Sequence, residues 1–127
     1  MKVYISAPYE LRDEAIQTMY SLEEQGHRVT SRWLKTPEHE ILRNPGIAQQ
    51  ANLAVEDLDD VVDADALVAY NPAGWENKGT GGRHVELGYA IAMGKRIVLY
   101  GVRSNFFHSL GVVDYVQTFE ELVEVLK

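Results

Sequence analysis

Apolar residues along the chain come in two kinds of pattern: short β-branched or aromatic runs, and longer stretches with an apolar residue every three or four positions. Lys2 to Ala7 (KVYISA) is a run of the first kind that stops at Pro8, which predicts a buried strand. From residue 10 to 25 the apolar positions Leu11, Ala15, Met19 and Leu22 fall at helical spacing, and Gly26 supplies the C-terminal cap. His27 to Leu34 (HRVTSRWL) reads as a second strand, and Lys35 to Asn44, without a clean period, as a loop. Asn44-Pro45 opens a helix whose apolar face carries Ile47, Ala51, Ala54, Leu58, Val61 and Val62. Asp65 to Asn71 (DALVAYN) is strand-length and apolar enough to be buried on both faces. The loop NPAGWENKGTGG leads into a helix from Gly82 to Met93, closed by Gly94. Lys95 to Tyr100 predicts a strand, Val102 to Gly111 a loop, and Val113 to Val116 a short strand. Thr118 and Glu121 then form a capping box for a final helix.

Strands alternating with helices in this order predict a parallel sheet covered on both faces. The expectation is an α/β, flavodoxin-like, doubly wound five-stranded domain spanning residues 1–127 as a single unit. Ligands in such folds bind at the C-terminal ends of the strands. That directs attention to the positions after Ala7, Leu34, Asn71 and Tyr100.

Composition narrows the function classes. Hydrophobic residues make up 46% and charged residues 24%, ordinary values for a globular domain. No apolar run approaches the ~20 residues of a membrane span. The N-terminus shows no signal-peptide pattern. The chain has no cysteine, which excludes disulfides and thiolate chemistry, and the expectation is a cytoplasmic protein. A net charge of -7 disfavours a nucleic-acid polymer as partner and leaves a small ligand.

Three strand ends carry unusual residues. Ala7-Pro8-Tyr9 follows the first strand, with Tyr4 inside it. Lys78-Gly79-Thr80-Gly81-Gly82 follows the third and runs into Arg83-His84-Val85-Glu86. Gly101-Val102-Arg103-Ser104-Asn105 follows the fourth. A glycine-rich loop opening a helix offers free N–H groups and a positive helix end to an anion, although glycines there also serve simply as turn residues. Glu86 is a carboxylate early in an otherwise apolar helix, near an N-terminus that favours its ionised form. The residues alone leave two readings open: a nucleophile, or a carboxylate solvated or paired with Arg83 or Lys95. Asp57 belongs to an acid-rich run (Glu56, Asp59, Asp60, Asp63, Asp65) that composition cannot resolve. Trp33 and Trp75, each near a strand end, are candidates to stack on a base. His84 points to a different side of its helix from Glu86 and reads as a surface residue.

The segments KVYISAP, DLDDVVDADALVAYNP and GTGGRHVELGYAIAMGKRIVLYG resemble the nucleoside 2-deoxyribosyltransferases and the related 2'-deoxynucleoside 5'-phosphate N-hydrolases. The most specific match is Glu86, Gly88, Ala90, Ala92, Gly94 and Lys95, a Glu-x-Gly-x-Ala-x-Ala-x-Gly-Lys pattern. The resemblance implies that Glu86 is the nucleophile and that Tyr4 hydrogen-bonds it. It also places Asp57 near sugar and base, and has a neighbouring subunit lend Asn105. Ala7, Trp33, Thr80, Gly81 and Gly82 are the remaining candidate substrate contacts. The implied chemistry is cleavage of the N-glycosidic bond of a nucleoside or nucleoside 5'-monophosphate through a glycosyl-Glu86 intermediate. A second base or water resolves that intermediate, without metal or organic cofactor, in a homo-oligomer. Where the transferases place an acid six residues before the nucleophile, this chain has Thr80. A hydroxyl tolerates a 5'-phosphate that a carboxylate repels. Arg32-Trp33 stands where the hydrolases carry histidine, so base preference does not carry over. A non-catalytic nucleotide-binding or sensor domain is the alternative on the same fold.

Overall fold

The computed structural model describes all residues from Met1 to Lys127. The elements are β1 (Lys2–Ser6), α1 (Arg12–Glu24), β2 (Arg28–Val29), α2 (Arg32–Lys35), α3 (Ile47–Asp63), β3 (Ala66–Asn71), α4 (Gly82–Ala92), β4 (Arg96–Gly101), β5 (Val113–Val116) and α5 (Phe119–Val125). Short 3-10 turns lie at Tyr9–Leu11, Glu38–Glu40 and Phe106–Ser109. The five strands form one parallel sheet in the order β2-β1-β3-β4-β5, the flavodoxin-like doubly wound arrangement. No helix is long and apolar enough to cross a membrane.

Alternation along β1 assigns its side chains to two cores. Val3 and Ile5 join Ala15, Met19 and Leu22 of α1 and Leu122 of α5 on one face. Tyr4 joins Val61 of α3 and Leu87 and Ala90 of α4 on the other. A tyrosine with no exposed surface at the start of a sheet needs a partner for its hydroxyl, and that partner defines the site.

The second strand is shorter than the predicted His27–Leu34. Ladder pairing with β1 covers only Arg28 and Val29. Beyond it the Ser31 hydroxyl, rather than a backbone carbonyl, accepts the N–H of Ile5 at 2.7 Å. Asp60 then receives the Arg32 backbone N–H at 2.9 Å and its Nε at 2.8 Å, turning the chain into α2. Side chains thus replaced the ladder, and hydropathy carried no sign of it.

The predicted apolar face of α3 is buried only near its C-terminal end. Val61 is inaccessible, whereas Ile47 is 86% exposed. At 1.5 Å per residue a 17-residue helix spans about 25 Å, while strands of this length reach about 17–20 Å. The first half of α3 therefore overshoots the C-terminal edge of the sheet, where it forms one wall of a cavity.

Candidate active site

Glu86 lies just inside α4 and turns its carboxylate towards the end of β1. Tyr4 and Ser6, two residues apart and so on one face of that strand, both donate to it. The Tyr4 hydroxyl reaches Oε2 at 2.7 Å and the Ser6 hydroxyl reaches Oε1 at 2.7 Å. Burial pushes the Glu86 carboxyl above its usual range, and these two donors, which favour the charged form, pull it back. Burial, with the charges of Glu86 and Asp57 behind it, pushes the Tyr4 phenol far up, so Tyr4 remains a donor.

Asp57, on α3, has no such hydroxyl donors. Its carboxyl is pushed up to about 7, first by burial and then by the charges of Glu86, Asp60 and Glu56, with Arg32 opposing. Asp60 is nearly buried but carries its own Arg32 partner at 2.8 Å. Burial thus pushes both carboxyls up, but only Glu86 has hydroxyl donors that favour its charged form.

Both carboxylates face a cavity of about 550 Å³ at the C-terminal edge of the sheet. Ala7, Pro8 and Tyr9 form its floor next to Glu86. Trp33 stands at one side, 6.4 Å from the Tyr9 ring, with its indole N–H held by the Ile5 carbonyl at 3.0 Å. Thr80, Gly81 and Gly82 form the opposite rim. Gly81 has φ +89° at the start of α4, a left-handed conformation suited to glycine, and no side chain caps the helix. The His84 N–H bonds the Gly81 carbonyl at 3.0 Å, which leaves those of Gly82 and Arg83 open at the positive end of the helix. No group of three His, Cys, Asp or Glu side chains is arranged to hold a metal ion.

Glu86, Asp57, Ala7, Trp33, Thr80, Gly81 and Gly82, all singled out from the sequence, line this one cavity, and Tyr4 reaches it through Glu86. Glu86 pairs with neither Arg83 nor Lys95. Asn105 does not line the cavity: its Oδ1 accepts the N–H of Phe107 at 2.9 Å and of His108 at 3.3 Å. His84 is half-buried rather than a surface residue, its ring 6.1 Å from that of the buried His108. Trp75 is not part of the cavity; its carbonyl accepts Arg83 Nη2 at 2.7 Å. Sequence reasoning missed Ser6, although its spacing of two from Tyr4 was the available signal. It also missed Leu53 and Glu56, which reach the cavity because α3 overshoots the sheet, and Glu40, which comes from the turn after α2.

Two solved enzyme structures share this fold. The first is a CMP N-glycosidase, BcmB, from Clostridium botulinum, 20% identical over 99% of this chain and 98% of that one, with a TM-score of 0.60. The second is a 2-deoxyribosyltransferase from the psychrotolerant Bacillus psychrosaccharolyticus, 19% identical over 97% of this chain and 90% of that one, with a TM-score of 0.72. The latter bears the name of the family that the sequence segments resemble. No protein-family model and no curated protein sequence matches the chain. At such identity the likeness establishes the fold over the whole chain length, and the chemistry rests on the site.

Proposed function

We propose that this chain belongs to the nucleoside 2-deoxyribosyltransferase family and cleaves the N-glycosidic bond of a nucleoside or nucleoside 5'-monophosphate. The observation that carries this reading is Glu86: a buried carboxylate facing a nucleoside-sized cavity, held by two hydroxyl donors at 2.7 Å. Glu86 attacks the anomeric carbon, forming a C–O bond as the C–N bond breaks and its electron pair passes to the base. Asp57, protonated up to about pH 7, supplies the proton that neutralises the departing nitrogen. Water or a second base then displaces Glu86 and returns a proton to Asp57. The open N–H groups at the start of α4, with the Thr80 hydroxyl, suit a 5'-phosphate.

The site is completed in a homo-oligomer, with Asn105 lent by a neighbouring subunit. An exposed apolar surface supports this part of the reading. Ile47 and Val55 of α3, Val85 and Met93 of α4, and Phe106 and Phe107 of the adjoining turn are all exposed, Phe106 by 94%. The two helices pack side by side, and His84 against His108 brings the turn to α4.

The test is release of free base from deoxynucleosides and their monophosphates. Glu86→Gln is expected to lower kcat by at least about 10³-fold while nucleotide still raises the Tm. A variant that keeps its rate, or a wild type that binds nucleotides without turnover, overturns the catalytic reading. Adding a second base to the same reaction separates transfer, which yields a new nucleoside, from hydrolysis, which yields free sugar or sugar phosphate.

A further inference from the structure

Strand order divides the cavity. β2 lies on one side of β1 and β3 on the other, so residues following these two strands flank Glu86, itself bonded to β1, from opposite sides. The β3 side holds the Thr80–Gly82 rim and Arg83. The β2 side holds Thr36 and Glu40 from the chain after α2, and Glu56 and Asp57 from α3.

Charge is sorted accordingly. Arg83 is the one cationic side chain of the lining; it is only 8% exposed, and no protein acceptor reaches its Nε or Nη1. Besides Glu86, the carboxylates of the lining are Glu40, Glu56 and Asp57, all towards the β2 side. The basic side chains paired with two of them, His39 at 3.9 Å from Glu40 and Arg32 at 3.9 Å from Glu56, lie outside the lining. A nucleotide with its anomeric carbon at Glu86 has two ways to lie, phosphate to either end. Only phosphate towards the Arg83 end avoids setting a dianion against carboxylates, and the base then lies against Glu40 and Glu56.

An ionised carboxylate only accepts hydrogen bonds. A base edge facing it has to donate, and an exocyclic amino group does so with two N–H bonds. A carbonyl oxygen at the same ring position presents lone pairs to lone pairs, and the ring N–H beside it offers one donor where the amino group offers two. We infer that the cavity selects nucleotides whose base carries an exocyclic amino group, with Glu40 and Glu56 accepting from it. The inference rests on the reading of Glu86 as the reacting carboxylate and adds the class of base.

Two matched pairs test it: deoxycytidine against deoxyuridine monophosphate, and deoxyadenosine against deoxyinosine monophosphate, each pair exchanging an amino group for an oxygen and the adjacent ring acceptor for an N–H. The readouts are kcat/KM for base release by the wild type and Kd for the Glu86→Gln protein by calorimetry. The amino member of each pair is expected to win by at least about tenfold in both. The preference should collapse in Glu40→Gln with Glu56→Gln, since an amide can donate to the oxo base. Equal or reversed preference, or a preference that survives in the folded double variant, overturns the inference. Base release without discrimination removes this inference alone. Selective binding of amino members without any release removes the glycosidase reading and supports this one.

Discussion

A buried carboxylate that must stay ionised needs donors aimed at it, and Glu86 has two. Tyr4→Phe and Ser6→Ala each delete one donor to the charged form, so each raises the Glu86 pKa further. The acid limb of kcat/KM against pH is therefore expected to move to higher pH, by on the order of one unit per donor, and further in the double variant. An acid limb that stays in place would mean that another group titrates there. Asp57 carries the opposite sign. In the proposed reaction it works in the protonated form, so activity is expected to fall as pH rises through about 7. The same raised pKa makes the folded chain bind a proton that the unfolded chain has lost, so stability falls as pH rises from its ordinary 3.8 towards about 7.

The elements that carry these residues depend on close backbone contact as much as on hydropathy. Gly101 ends β4 at φ +134°, and a Cβ built there would sit 2.1 Å from the Asn71 carbonyl oxygen at the end of β3. That oxygen accepts the Val102 N–H at 2.8 Å, which fixes where the following loop departs. Gly101→Ala combines a clash with a strained φ and is expected to cost on the order of 3 kcal/mol, read as a lower midpoint in urea at unchanged m. An unshifted midpoint would show that β3 and β4 can part there without loss. The corner after β2 has a related design. Asp60 binds the Arg32 backbone and side chain, and α2 then presents Trp33 to the cavity.

Over the whole molecule, exposed apolar residues on α3, α4 and the Phe106–Ser109 turn suit contact with a second copy of the chain. Light scattering after gel filtration is expected to show an oligomer, and Phe106→Glu with Ile47→Glu to shift it to monomer. Because Asn105 does not line the Glu86 cavity of its own chain, that monomer should lose most of its base release while keeping its far-UV spectrum. A wild type that is monomeric at assay concentration and fully active would remove the neighbour from the site.

Local patterns were enough to read the alternating element order, the α/β class and the site's location at strand ends, because burial periodicity and turn chemistry are written in neighbouring residues. Glu86 stood out for the same reason, as a charge inside an apolar stretch. Its partners Tyr4 and Ser6 lie 82 and 80 positions away, and no local pattern links them. Composition could not tell Asp57 from the surrounding acids; the family resemblance alone pointed to it, and folding set it, and not Asp59, in the cavity with Glu86. The end of β2 at Val29 and the exposed start of α3 were likewise decided by side chains arriving from other elements and by a helix longer than its sheet. The sequence by itself determined which residues were able to do chemistry. The tertiary structure decided which of them meet, that burial raises the carboxyls of Glu86 and Asp57, and that the cavity's other carboxylates and its lone cation lie on opposite sides of Glu86.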